Sequence, residues 1–556
     1  MNQYNAIVKT ISMYPEKVAL RYFGIPVSYS KFGKMIETAA SGLYNMGVRS
    51  GDVVCVALPS TPESIATLYA LNKIGAVAST IDVRFTASQV ASIVNALHAR
   101  VLFIMNFNVK CIAARANEMG VEHIVVMRGC ELFPKKVSSW YAFGELFNGR
   151  RRAYNSVGKF MHWSDLMEAS HGDTPRHNWM PDSPQMIFQT SGTTGGTKSV
   201  MITAENIEIS MLRTKELLSQ VDVNDTVLCL LPIFAFYGFL TTVHLPLTEG
   251  MTIAIVPIWK AKDFIRTIAR LRPQHVFTAP SSWDAIYDKS NMSANLSDLK
   301  TIVVAGDVIR PDFERDINEF LHHCGCGSEV TKVYGMTETA GIVAYTQPGS
   351  PHKYQLGFSG VVAAGFKIKI VDEEICVTHP TKLLGYYGNI EATNNLLRMH
   401  EEEEAWIHTG CPWCAPPCQR VNEKGETWIH TGDSGNLDDE GNLYVTGRIK
   451  RMIVRFDGTK IFPIEIEDAL MRHTDVLGCA VVACKDKNHP QSCLPVAFCV
   501  VKRKGRRTIE RIMRYVSKEL PVHLHPARII TIDKLPVLGN GKVNLVELSK
   551  TANGEK

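Results

Sequence analysis

Across 556 residues, apolar side chains make up 45% and charged ones 21%, which excludes large-scale disorder and predicts two or more domains. The balance of 60 basic against 55 acidic residues leaves a net charge of +5, too mild to argue for a nucleic-acid partner. Neither a signal-type apolar stretch in Met1 to Leu20 nor a run of the ~20 apolar residues needed for a membrane span is found. With 14 scattered cysteines reading as reduced thiols, the expected compartment is the cytoplasm.

In chain order, Asp52 to Leu58 reads as a strand, and Ser60-Thr61-Pro62-Glu63 as a helix start with a capping hydroxyl, an early proline and an early carboxylate. Ile65, Leu68 and Tyr69 give that helix an apolar face, and Gly75 can end it. Short β-branched runs recur at Val101 to Met105, His123 to Met127, Val227 to Leu231, Thr252 to Val256, His275 to Thr278 and Thr301 to Ala305, most of them separated by helical patterns. Buried strands alternating with helices predict an α/β fold with parallel sheets flanked by helices. The last hundred residues predict a small α+β unit: strands at Cys479 to Cys484, Pro495 to Val501 and Arg528 to Ile532, and a helix over Thr508 to Leu520. The expected division is 1–447 and 448–556, with a hinge near Gly447-Arg448-Ile449-Lys450.

After the strand-like Met186 to Gln189 comes Thr190-Ser191-Gly192-Thr193-Thr194-Gly195-Gly196-Thr197-Lys198-Ser199. Glycines let the backbone approach an anion closely, hydroxyls and amides donate to phosphate oxygens, and lysine supplies the compensating charge. A flexible surface loop is a poor account of ten such residues directly after a buried strand. A Walker loop nearly fits from Gly192, but Thr197 stands where the second glycine must be.

The stretch resembles the signature T-S-G-T-T-G-x-P-K-G of the adenylate-forming superfamily, which includes acyl-CoA synthetases, with Thr197 in place of proline and Ser199 in place of glycine. Tyr334-Gly335-Met336-Thr337-Glu338 is similar to the family's Y-G-x-T-E segment. There the resemblance implies that the tyrosine stacks on adenine, the threonine touches the α-phosphate and Glu338 holds magnesium. Independently, one carboxylate plus phosphates is a usual magnesium site. Ala305-Gly306-Asp307 resembles the adenine-side strand end. Thr431-Gly432-Asp433 resembles the segment whose aspartate accepts from ribose. Gly447-Arg448-Ile449-Lys450 resembles the hinge, with Arg448 near the ribose and Lys450 the pivot. Gly458 opens a loop like that lining the thiol tunnel, and Gly539-Asn540-Gly541-Lys542 resembles the loop carrying the adenylation lysine. The matches run in family order over about Ala19 to Asn544. They imply an ATP- and magnesium-dependent acid–thiol ligase that makes an acyl-adenylate and passes the acyl group to coenzyme A. Catalysis is expected from Lys542, Thr337 and Glu338.

Leu231-Pro232-Ile233-Phe234-Ala235-Phe236-Tyr237-Gly238 resembles the acid-side segment and carries no aspartate for a substrate ammonium, which disfavours amino acids. Basic residues between Leu132 and Leu166 (Lys135-Lys136, Arg150-Arg151-Arg152, Lys159) resemble an insertion in bacterial fatty-acyl-CoA synthetases, so a fatty or other hydrophobic acid is expected. A carrier-protein thiol in trans is the alternative acceptor, and a non-catalytic nucleotide-binding protein the alternative class. The segment Trp406-Ile407-His408-Thr409-Gly410 echoes Trp428-Ile429-His430-Thr431-Gly432, but only the second runs into an aspartate. Beside the first, Cys411, Cys414 and Cys418 have the makings of a zinc site but lack a second CxxC half; a surface excursion is preferred.

Overall fold

The fold is seen in a computed structural model that describes residues 2–129, 131–133, 158–180, 182–191, 197–218, 221–257, 260–399, 427–455, 459–486, 489, 492–537 and 543–554. The chain divides into two units, one gathering Met1–Tyr354, Ser359–Lys367 and Val377–His430, the other Gln355–Phe358, Ile368–Cys376 and Thr431–Lys556. Among the described residues, no helix is long and apolar enough to cross a membrane.

In the first unit the strands are β1 (Val18–Tyr22), β2 (Ile25–Ser28), β3 (Val53–Ala57), β4 (Val77–Thr80), β5 (Val101–Met105), β6 (His123–Met127), β7 (Phe160–His162), β8 (Pro184–Ser191), β9 (Thr197–Thr203), β10 (Thr226–Cys229), β11 (Thr252–Ile255), β12 (His275–Thr278), β13 (Thr301–Val304), β14 (Val330–Met336) and β15 (Gly341–Tyr345). One sheet has the order β7-β6-β5-β3-β4-β8-β9, parallel except for the β8–β9 hairpin. A second run of strands has the order β15-β14-β13-β12-β10-β11-β1-β2, parallel from β14 to β1 and antiparallel at both ends. The predicted strands are therefore present, each within about a residue or two of its expected ends.

The helix Pro62–Ile74 shows why the reading succeeds locally. Thr61 caps it, its hydroxyl accepting from the Ser64 amide at 3.1 Å, one residue later than the earliest candidate cap. Gly75 ends it at φ +84°, where an added Cβ would come within 2.5 Å of the His177 ring, so only glycine fits. Every residue of this helix is buried, because it is packed against Tyr29–Asn45 within the largest apolar cluster. A helix covered on all sides loses the clean polar face that an amphipathic surface helix keeps.

In the second unit Val476–Lys485, Cys493–Val501 and Arg528–Ile532 form a three-stranded sheet, antiparallel then parallel. Strand alternation sorts its core. Val481, Ala497 and Cys499 pack with Ile466, Leu470, Ile512 and Val516, whereas Ala480, Val482, Val496 and Phe498 pack with Leu548 and Ala552. The helices Pro463–Met471 and Arg506–Glu519 thus cover one face, and Leu545–Asn553 the other.

Candidate active site

Within the first unit, three segments singled out by the sequence leave the carboxyl ends of parallel strands. These are the glycine-rich loop after β8, the Gly306 turn after β13 and Tyr334-Gly335-Met336 at the end of β14. In open α/β sheets that end is where ligands bind. The glycine-rich loop is followed by β9, a strand, where a Walker loop opens into a helix. That disposes of the P-loop alternative on structural grounds.

Hairpin register sets Thr190 directly opposite Lys198, so both side chains project from the same face at the neck of the loop. Residues 192–196, and with them Gly192, Thr193 and Thr194, lie outside the described residues. The Thr190 hydroxyl donates to Glu338 Oε1 at 3.0 Å, and the Tyr386 hydroxyl donates to the same oxygen at 3.1 Å. The Lys198 ammonium stands 4.6 Å from the centre of the Tyr386 ring. Glu338 is 8% exposed and Tyr386 6%, so this charge sits in a largely dehydrated setting.

Glu338 is aimed by a tight reversal between β14 and β15. The Thr339 hydroxyl accepts from the Met336 amide at 3.1 Å and closes the turn; Ala340 takes φ +48° and Gly341 φ +127°. Gly335 has to be glycine, since a Cβ there would meet the Gly341 carbonyl oxygen at 2.0 Å. Tyr334, Met336 and Thr337 follow from the same turn. Gly306, at φ +89°, and the exposed Asp307 lie one strand away, at the end of β13.

Tyr386 is a member of the site that the sequence reading did not single out. Its segment lies along β9: Met201 N–H donates to the Gly385 carbonyl at 3.0 Å and Tyr387 N–H to the Ser199 carbonyl at 2.8 Å. Gly385 sits at φ +73° with space for no Cβ, which would fall 2.3 Å from the Thr393 methyl. A glycine followed by two aromatics was the available signal, but nothing in the linear sequence said that they faced Lys198.

The acid-side segment follows β10. Phe236 packs edge-on against Phe188 of β8, ring centres 5.3 Å apart, and the Phe234 carbonyl accepts from Thr80 of β4 at 3.3 Å. Gly238 lets the chain turn, since a Cβ there would strike the Pro232 carbonyl oxygen at 2.3 Å. Tyr237 meets Phe277 edge-on at 6.3 Å and adjoins Val303, Ile342 and Leu231. Its hydroxyl is buried and has no hydrogen-bond partner among the described residues; burial also raises its pKa above the usual tyrosine range. Ala235 is exposed.

In the second unit, Asp433 and Arg448 are directly paired across Thr427–Leu437 and Leu443–Arg448. Arg448 Nε lies 2.9 Å from Asp433 Oδ1, and the guanidinium also donates to the Thr431 carbonyl at 3.2 Å. Asp433 is 5% exposed. Lys450 is exposed in the turn Ile449–Arg451. Gly458, Lys542 and the cysteines Cys411, Cys414 and Cys418 lie outside the described residues, as does most of the basic stretch after Leu132.

Among the described residues the buried Glu338 carboxylate accepts from neutral hydroxyl donors, an oxygen-rich setting that fits a hard divalent cation. Lys198 beside it fits a phosphate.

A family model described as AMP-binding enzyme matches residues 8–387, and one described as AMP-binding enzyme C-terminal domain matches 465–542. The chain is 24% identical over 546 residues to 4-coumarate-CoA ligase 1 of Narcissus pseudonarcissus, covering 94% of this chain and 88% of that one. It is 25% identical over 542 residues to 4-coumarate–CoA ligase CCL1 of Humulus lupulus, covering 93% and 87%. Among solved structures, an anthranilate CoA ligase in complex with anthranoyl-AMP superposes with a TM-score of 0.81 at 20% identity, covering 100% of this chain and 97% of that one. A benzoate CoA ligase from Burkholderia xenovorans superposes with 0.78 at 17% identity, covering 99% and 100%. The o-succinylbenzoate CoA synthetase of Bacillus subtilis, in complex with ATP and magnesium ion, superposes with 0.74 at 20% identity, covering 98% and 99%.

Proposed function

Because the chain belongs to the AMP-binding enzyme family, we propose that it is an AMP-forming acid–thiol ligase joining an aromatic carboxylic acid to coenzyme A. The observation that carries the reading is the meeting of Thr190, Lys198 and Glu338 at one strand end, from segments up to 148 residues apart.

A carboxylate is a poor electrophile, since attack on it adds charge to an anion. In the first half-reaction its oxygen attacks the α-phosphorus of ATP, a new phosphorus–oxygen bond forms, and the bond to pyrophosphate breaks. In the second, a thiol that has lost its proton attacks the carbonyl carbon and AMP leaves. The protein's part is positioning and charge neutralisation. Thr190 and Lys198 bind phosphate oxygens, and Glu338 holds magnesium, which supplies charge neutralisation at the phosphates when bound. Asp433 accepts from the ribose hydroxyls, with Arg448 fixing its orientation. Tyr334 and Gly306-Asp307 bound the adenine, with Gly335, Met336 and Thr337 shaping the turn beneath the phosphates. Lys542 as the adenylation lysine, Ser191 to Thr194 as phosphate donors, Gly458 on the thiol path and Lys450 as hinge between 1–447 and 448–556 belong to the same proposal.

Within the fatty or other hydrophobic acids expected from the basic stretch, the reading favours an aromatic one. The Tyr237 hydroxyl beside Phe277 supports this: it has no hydrogen-bond partner among the described residues, and a buried hydroxyl left in that state costs roughly 1–3 kcal/mol. A ring bearing its own polar group would satisfy it, whereas an alkyl chain would not. The printed substrates of the coumarate, anthranilate and benzoate ligases point the same way.

The test is acid-dependent ATP–pyrophosphate exchange, followed by mass spectrometry of the CoA thioesters from a panel of hydroxycinnamic, benzoic and fatty acids. AMP release with an aryl acid is the expected result. ADP as the only nucleotide product would overturn the ligase reading, and preference for long-chain fatty acids would overturn the aromatic one. Tyr237→Phe should cut the preference for hydroxylated over unsubstituted rings by about tenfold, read as the ratio of kcat/KM values.

A further inference from the structure

The Tyr386 side chain bears two opposite charges at once. Its ring carries the Lys198 ammonium at 4.6 Å and its hydroxyl donates to Glu338 Oε1 at 3.1 Å. Lys198 and Glu338 nevertheless form no ion pair with each other, and neither is in an ion pair with any other described residue. Glu338 is buried and Lys198 half-buried, and an ammonium and a carboxylate attract more strongly as water is excluded, so two such groups against one side chain would be expected to pair. A direct pair would spend the phosphate-binding cation on the cation-binding anion.

We propose that Tyr386 is a positioning residue that keeps Lys198 and Glu338 from neutralising each other, so that one stays available for phosphate and the other for the divalent cation. This rests on the reading of the site as a nucleotide–cation site. The ring face attracts the ammonium through its quadrupole without donating a proton or accepting a charge. The hydroxyl, together with that of Thr190, satisfies Oε1 with neutral donors and leaves Oε2 for a cation. The backbone that places Tyr386 is fixed independently of either charge. Its amide donates to the Thr393 hydroxyl at 2.9 Å, and its neighbours pair with β9, the strand that carries Lys198.

The test uses the full chain, with Mn2+ followed by electron paramagnetic resonance and α,β-methylene ATP followed by calorimetry. Tyr386→Phe keeps the ring and loses the hydroxyl. Mn2+ affinity in the presence of the analogue should fall about tenfold, while metal-free analogue binding stays within about twofold. Tyr386→Leu loses both, releases Lys198 toward Glu338, and should weaken metal-free analogue binding about tenfold as well. Adding Glu338→Gln to Tyr386→Leu removes the competing anion and should restore metal-free binding to within about threefold of the starting protein. Damage to packing alone would not be rescued by that second change. Unaltered Mn2+ affinity in Tyr386→Phe, which needs no tolerance of a lost ring, or failure of the rescue in a folded double variant, overturns the proposal. Absence of analogue binding and of acid-dependent exchange in the unsubstituted protein would instead overturn the proposed function.

Discussion

Two buried carboxylates in this chain are held in opposite ways. Glu338, in the first unit, accepts from the hydroxyls of Thr190 and Tyr386 and forms no ion pair with any described residue. Asp433, in the second, is fixed by the Arg448 guanidinium at 2.9 Å. Hydroxyl donors orient a carboxylate and leave its charge intact, which prepares it for a divalent ion. A guanidinium offsets the charge and leaves spare lone pairs, which suits the acceptance of neutral hydroxyls. The residue types alone, one glutamate and one aspartate, do not distinguish the two proposed roles; their partners do. Glu63 supplies a third case. It is 1% exposed, neither oxygen makes a hydrogen bond of normal geometry with a described residue, and burial, assisted by the nearby charge of Glu131, pushes its pKa up to about 7.

The comparison breaks most directly at Glu338. Glu338→Gln keeps the shape and the acceptor for both hydroxyls but removes the charge, and exchange activity should fall on the order of a hundredfold or more. Retained activity with unaltered magnesium dependence would show that the charge is not what the hydroxyls are there to preserve.

Glu63 gives the next largest effect, on stability. The folded chain holds its proton more tightly than the unfolded one, so its contribution is fully present below the usual glutamate pKa and is lost as pH rises through about 7. Glu63→Gln, which cannot ionise, should therefore gain relative to the unsubstituted protein between pH 5 and pH 8, by an amount on the order of 3 kcal/mol. Denaturant midpoints that shift with pH equally in both proteins would contradict this.

Arg448 gives the smallest. Arg448→Ala frees the Asp433 carboxylate, and because that arginine is half exposed the loss is modest: about a tenfold rise in KM for ATP with little change in kcat. If kcat collapsed instead, Arg448 would be acting on the reacting atoms and the contrast with Glu338 would lose its meaning.

The sequence by itself determined the strands, the capped helix after Val53–Ala57 and the chain order of the segments proposed to bind phosphate, adenine and ribose. Those depend on local rules: β-branched runs, a threonine before a proline, glycines where a Cβ has no space. It also singled out Glu338 and Lys198, which the fold brings to the same aromatic side chain. Only the tertiary structure decided that Tyr386 stands against both, because that contact needs β9 to pair with Gly385-Tyr386-Tyr387, a separation along the chain that no local pattern encodes. The same holds for Tyr237, whose lack of a partner is a property of what surrounds it. Local geometry is written in neighbouring residues, whereas the state of a buried polar group is fixed by everything packed around it, and that is known only once the chain has closed on itself.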